Sequence, residues 1–252
     1  MGERDPGASR RRLLPSKTVL FVASLCVGVL FFLTSPAGGF TPSGWRVLGL
    51  LVPIVTVWAT EAVPVGVGAM AAILGMDLDA VTEVCRDAAQ GEVCEPANIN
   101  SGEQIVISGH TAAVERGAKL ADERGAKRAK VLPVSAPFHC SLMKPAQDRL
   151  APDLRKLPFL RPGIPLASNV DAALVEDANG SRDALIRQVT RPVQWEPSMR
   201  LLLAQGVATF VEIGPGKVLC GLLRQIDRSK TGFNVEDEAS LQKTFKHLAV
   251  PA

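Results

Sequence analysis

No Cys-x-x-Cys pair occurs in this chain, and its five cysteines (Cys26, Cys85, Cys94, Cys140 and Cys220) fall at no metal-ligand spacing. That excludes a zinc ribbon or a thioredoxin-like dithiol. The expectation is free thiols in a reducing compartment, although a helix–turn–strand could bring Cys85 and Cys94 together. No basic stripe with interleaved aromatics is present, and the net charge is only +3, so nucleic acid is not an expected partner. The cluster Lys119, Arg124, Lys127, Arg128 and Lys130 reads as a solvated face. No G-x-S-x-G occurs anywhere, which removes the strained strand-to-helix turn that carries the serine of α/β hydrolases. What remains is ordinary globular material, 47% hydrophobic and 21% charged over 252 residues, enough for one or two units.

The first residues differ from the rest. Arg10, Arg11, Arg12 and Lys17 precede an uncharged apolar run, Thr18–Thr34. The run sits at the short end of the roughly 17–25 residues that span a hydrocarbon core. Basic residues ahead of it favour a cytoplasmic N-terminus, and no clean small-x-small cleavage site follows. A second run, Val47–Thr60, is interrupted by Pro53 and closed by Glu61. The words W-R-V-L-G-L-L-V-P-I-V-T-V-W-A-T-E-A-V-P-V-G-V (Trp45–Val67) resemble the opening of divalent-anion:sodium symporters. The later helices and ion-binding loops of that family are absent, so transport is not expected. The expectation is an N-terminal apolar helical leader over residues 1–64, with membrane association through residues 18–60.

From Gly68 onward the pattern changes. Ala69–Leu74 has strand length and character. Asp79–Gln90 places Val81, Val84, Cys85 and Ala88 on one helical face. Glu92–Pro96 and Gln104–Ser108 read as strands on either side of an Asn/Ser/Gly turn that contains Asn98 and Asn100. Thr111–Arg124 reads as a second helix with Ala113, Val114, Ala118 and Ala121 inward, and Arg128–Val134 as a fourth strand. The order β-α-β-β-α-β predicts a ferredoxin-like unit over residues 67–134. Beyond it come a helix at Lys144–Lys156, a strand at Pro165–Val170, helices at Asp183–Val189 and Pro197–Gln205, a strand at Ala208–Ile213 and a helix at Lys217–Ile226. The glycines of Gly214-Pro215-Gly216 suit a tight strand-to-helix turn better than a phosphate cradle.

The segment Lys127–Met143, K-R-A-K-V-L-P-V-S-A-P-F-H-C-S-L-M, carries the chemistry. An apolar strand runs into a Pro-set turn that presents His139 at its tip, where α/β enzymes keep catalytic groups. An imidazole with an ordinary pKa can take and return a proton near neutral pH, the work of a general base in acyl transfer. Cys140 and Ser141 adjoin it, but neighbours on an extended segment point to opposite sides, so neither is expected to be its nucleophile.

This segment resembles the malonyl-CoA:acyl-carrier-protein transacylases of fatty-acid synthesis. The resemblance extends through G-A-M-A-A-I-L-G-M (Gly68–Met76), P-A-N-I-N-S-G-E-Q-I-V-I-S-G (Pro96–Gly109), G-A-K-R-A (Gly125–Ala129), S-N-V-D-A (Ser168–Ala172), R-Q-V-T-R-P-V-Q-W (Arg187–Trp195) and V-E-I-G-P-G-K-V-L (Val211–Leu219), in the family's order. It implies an α/β (α+β) fold, with a ferredoxin-like small subdomain and, over residues 135–252, an incomplete α/β-hydrolase-like acyltransferase subdomain. It implies malonyl transfer from CoA to the phosphopantetheine thiol of acyl carrier protein, in the cytoplasm and with no cofactor. His139 would be the general base, Gln188 would orient it through its backbone carbonyl, and Asn98 and Asn100 would border the substrate cleft. The basic cluster could steer the acidic carrier protein. The family's G-H-S-L-G elbow, its N-terminal glutamine loop and its malonyl-binding arginine have no match here. The expectation is therefore a chimera joined near Glu61–Gly66, inactive alone, with exposed apolar surface. The rival expectation is a membrane-tethered, non-catalytic remnant that binds carrier protein or CoA.

Overall fold

A computed structural model describes residues 68–134 and 136–248. The leader expected over residues 1–64, its symporter resemblance and the junction at Glu61–Gly66 lie outside these residues. Among the described residues, no helix is long and apolar enough to cross a membrane.

Strand β1 (Gly68–Leu74) is followed by helix α1 (Leu78–Ala89). The helix starts where the Asp77 carboxylate accepts the Ala80 N–H at 2.8 Å, and it stops where Gln90 turns left-handed at φ 46°. Its buried face is Val81, Val84, Cys85 and Ala88, the set predicted from periodicity. Strands β2 (Cys94–Ser101) and β3 (Gln104–His110) form a hairpin, helix α2 (Thr111–Glu123) follows, and β4 (Arg128–Val131) ends the unit. Gly117 lies inside α2 because the helix rides close to the sheet: a Cβ there would stand 2.9 Å from Ile107 Cδ1.

The sheet order is β2-β3-β1-β4, and every pairing in it is antiparallel. One face carries the main core, where Ala71, Ile73, Ile105 and Ile107 meet Val81, Val84 and Val114. Each of these isoleucines and valines contributes about 1.5–3 kcal/mol by leaving water. The other face buries Met70, Ala97 and Val106 beneath Leu132 and Phe138. The chain leaving β4 therefore crosses that second face on its way to His139.

One expectation needs correction here. Asn98 and Asn100 lie within β2, not in a turn, and the hairpin turns at Gly102-Glu103. Asparagine is poor in strands. Here Ala97 and Ile99 bury themselves in the two cores, and register shifts at Pro96/Asn98 and Ile99/Ser101 absorb the mismatch.

After a short 3-10 turn (Ser141–Met143) comes α3 (Lys144–Lys156). Strands β5 (Leu166–Ser168) and β6 (Ala173–Val175) make a small antiparallel pair. Helix α4 (Ala178–Gln188) is capped by Asp177, which accepts the Gly180 N–H at 2.8 Å, and α5 (Trp195–Ala204) follows. Strand β7 (Thr209–Ile213) then pairs in parallel with β8 (Thr231–Val235) around α6 (Val218–Ile226), and α7 (Glu238–Leu248) closes the described residues. Strands β6 and β8 and helix α7 were not predicted, and the strand expected over 165–170 shortens to three residues. Parallel strands are ordinarily covered on both faces. Here Ile213 at the end of β7 is 83% exposed and Val218 at the start of α6 is 70% exposed, so the expected apolar surface is present.

Three members of the basic cluster are paired with carboxylates. Lys119 pairs with Glu123, Arg124 with Asp87 and Lys127 with Glu103.

Candidate active site

The turn that presents His139 is seated from beneath. Beyond β4, Leu132 N–H still donates to Met70 O at 2.8 Å, and Phe138 packs on the second sheet face. Pro137 is fully buried against Gly68, where a Cβ would come within 2.3 Å of its ring. His139 then adopts a left-handed backbone, φ 60°, which costs a non-glycine residue about 1 kcal/mol or more. Cys140 follows in full burial and donates its thiol to Pro137 O at 3.2 Å.

Gln188 arrives from a different part of the chain. It is the last residue of α4, and a helix's final carbonyls have no partner four residues on. Its carbonyl oxygen lies 2.9 Å from His139 Nδ1. The end of α4 is held by the two-pronged pairing of Arg187 with Asp171. The Arg187 guanidinium keeps the Asp171 carboxyl below its usual range. Gln188 Nε2 donates to Arg191 O at 2.9 Å, which tightens the turn after the helix. Val193 then bridges to β2 opposite Asn98: Val193 N–H donates to Ala97 O at 2.8 Å, and Ile99 N–H to Val193 O at 2.9 Å.

A carbonyl can only accept, so Nδ1 of neutral His139 must carry the proton and Nε2 must offer its lone pair. The site thus presents one oriented basic nitrogen.

The neighbours of His139 are occupied elsewhere. Ser141 donates both its N–H (2.9 Å) and its hydroxyl (2.7 Å) to the Glu95 carboxylate. Burial pushes the Cys140 thiol up, away from the reactive thiolate. An open cleft of about 550 Å³ runs alongside, lined by Glu95, Pro96, Ser141, Lys144, Thr190, Arg191 and Pro192. Asn98 and Asn100 are half-buried on β2 and are not among the residues lining this cleft. Asn98 meets the site through its backbone bridge to Val193. Glu95 was missed in the sequence, since a single acidic residue in a strand has no spacing to betray it.

At Gly214-Pro215-Gly216 the turn joins β7 to α6, and the Glu236 carboxylate accepts the Gly216 N–H at 2.9 Å. An amide committed to a carboxylate is not offered to a phosphate. Among the described residues, no group of three or more His, Cys, Asp or Glu is placed to hold a metal ion. Cys85 and Cys94 face each other across α1 and β2 as free thiols.

No family model matches the chain. Its sequence is 48% identical over 181 residues to the malonyl CoA-acyl carrier protein transacylase of Salmonella typhimurium, covering 72% of this chain and 59% of that protein. The solved malonyl CoA-acyl carrier protein transacylase of Coxiella burnetii superposes with a TM-score of 0.76 at 36% identity, covering 93% of this chain and 79% of that one. The chain belongs to the malonyl-CoA:acyl-carrier-protein transacylase family. A further similar structure, with a TM-score of 0.76 and 35% identity, covers 90% of this chain and 81% of that one; it is a type II PKS acyl-carrier protein in complex with its malonyl-transacylase. The chain spans about three fifths of the length of the curated transacylase it matches first, 59%.

Proposed function

We propose that this chain serves malonyl transfer from CoA to the phosphopantetheine thiol of acyl carrier protein, and that His139 is the general base. One observation carries the reading: His139 Nδ1 is held 2.9 Å from the Gln188 carbonyl, which leaves Nε2 free to receive a proton. In a transfer of this type the base removes the proton of a serine hydroxyl as that oxygen attacks the malonyl thioester. It then returns a proton to the departing CoA thiolate. The second half-reaction runs the same steps with the carrier thiol as nucleophile. Gln188 fixes the tautomer, and Asn98 supports the turn that bears it through the Val193 bridge.

The four-stranded unit reads as the family's ferredoxin-like subdomain, and the remainder as the C-terminal part of its acyltransferase subdomain. The 252 residues hold no G-x-S-x-G elbow, so the serine must come from outside them. The family supports a cytoplasmic setting; a membrane tether through residues 18–60 is the alternative and is read by membrane fractionation.

The test is intact-mass spectrometry after incubation with malonyl-CoA. The chain is taken alone, then mixed with a fragment of the Salmonella relative that bears the elbow, each with a His139→Ala control. The expected result is no adduct on the chain alone, and a malonyl adduct on the fragment that requires His139. An adduct on this chain that requires His139 would reveal an internal nucleophile. An adduct on the fragment that is indifferent to His139 would remove it as the base.

A further inference from the structure

His139 occupies a strained conformation, and one hydrogen bond from its ring is little to hold it there. The chain before it is seated by Pro137 against Gly68. On the other side Cys140 is fully buried, and at Ser141, two residues on, a carboxylate from β2 takes two hydrogen bonds. Glu95 Oε2 accepts the Ser141 N–H at 2.9 Å, and Oε1 accepts the Ser141 hydroxyl at 2.7 Å. Both oxygens of one side chain converge on one residue 46 positions away in sequence. We propose that Glu95 is the positioning residue of the imidazole: by clamping Ser141 to β2 it holds the left-handed turn at His139 that aims Nδ1 at the Gln188 carbonyl.

Three features support this role over that of an ordinary surface contact. Hydrogen bonds to a charged acceptor are the strong ones, and a paired set restrains direction as well as distance. The clamp joins the same strand, β2, that also fixes the Gln188 turn through the Val193 bridge. Donor and acceptor of the His139–Gln188 bond are therefore referred to one rigid element, where a small misplacement would break it. The geometry also leaves the Ser141 hydroxyl no part in attack, since its proton is donated to Glu95.

The proposal rests on reading His139 as the base, but its test needs neither malonyl-CoA nor a nucleophile. Long-range 1H–15N correlation spectra of the full chain, at a pH where imidazole is neutral, report which ring nitrogen bears the proton. With three histidines in the sequence, the His139→Ala variant assigns the resonance. Wild type is expected to show His139 as a single tautomer protonated at Nδ1. Glu95→Ala is expected to give mixed tautomers and to speed Ser141 amide exchange about tenfold or more. Glu95→Gln is expected to restore the single tautomer, because its carbonyl can accept the N–H while its amide donates to the hydroxyl. Asp87→Ala, which removes the distant Arg124 pairing, controls for general loss of stability and should leave the ring unchanged. Should Glu95→Ala fail to fold, Glu95→Asp keeps the charge, shortens the reach and is expected to give the same mixture. A single Nδ1–H tautomer persisting in a folded Ala or Asp variant overturns the positioning role and leaves the base standing. Mixed tautomers in wild type overturn the geometry of the base itself.

Discussion

Replacing Gly68 by alanine tests how the His139 turn is seated. A Cβ built on Gly68 would lie 2.3, 2.5 and 2.7 Å from Pro137 Cγ, Cβ and Cδ. Carbon atoms at rest stand about 3.5–4.0 Å apart, so more than about 1 Å must be found. A long side chain could swing aside. Pro137 cannot, because its ring is tied to the backbone and is fully buried. The displacement must pass into the chain at Pro137 and so into His139, two residues on. Overpacking of this kind costs about 1–3 kcal/mol, offset by about 0.5–1 kcal/mol from the reduced freedom of alanine in the unfolded chain. The net expectation is a loss of up to about 2.5 kcal/mol, centred on about 1 kcal/mol.

Gly221→Ala isolates the second effect. Gly221 sits inside α6, and a methyl group added there would meet nothing within 4 Å, so only the helix preference remains, a gain of about 0.5–1 kcal/mol. Urea unfolding should therefore move the two midpoints in opposite directions, with unchanged slopes. The His139 ring pattern should change in Gly68→Ala alone. If Gly68→Ala is as stable as wild type and keeps the His139 tautomer, Pro137 packing on β1 is not what seats the turn.

Ile107→Ala, in the fully buried centre of β3, is expected to cost about 2–5 kcal/mol in the same urea assay; a loss below about 1 kcal/mol would mean that the core collapses around the gap. Asp171→Asn is expected to cost about 0.5–1 kcal/mol at neutral pH, a modest value because Asp171 and Arg187 are partly exposed. Arg187 lowers the folded-state pKa of Asp171 from 3.8, so that stabilisation is present above 3.8 and is lost as pH falls through the lower folded value. The deficit of the variant should accordingly shrink in acid, and a deficit that grew would reverse the sign. Cys85, Cys94 and Cys140 are buried and should resist iodoacetamide until the chain unfolds, with peptide mass spectrometry as the readout. Native-state labelling of Cys140 at the rate of a free thiol would contradict its burial.

The parts legible in sequence are those whose cause is local. Helix α1 could be delimited to within about one residue because four apolar positions repeat at helical spacing ahead of a glutamine and a glycine that adopt positive φ. Strands β6 and β8 were not legible, since Ala173–Val175 and Thr231–Val235 are short and take their strand character from a partner elsewhere. Asn98 and Asn100 were misplaced because turn propensity was weighed without the two cores that Ala97 and Ile99 enter. His139 stood out through the Pro-set turn before it, but nothing in residue spacing points to Glu95. Gln188 acts with a main-chain carbonyl, which every residue owns. Only resemblance could single it out.

The arrangement bears on why a chain without an elbow still presents an oriented imidazole. Every contact found to orient His139 comes from residues between Gly68 and Val193: the sheet beneath it, the Glu95 clamp and the end of α4. None comes from β7 or α6, where the apolar surface stands open. The proposed base, pre-set in this way, would need no reorganisation when a hydroxyl arrives, so its energetic cost would lie in folding and not in catalysis. The proposed division follows from the geometry: this part of the chain supplies tautomer and direction, and a nucleophile-bearing segment need supply only the serine and its oxyanion donors. If that division holds, His139 should be a single tautomer in the chain alone, before any malonyl-CoA or complementary fragment is added. An imidazole that became ordered only on adding the fragment would show instead that base and nucleophile are built together.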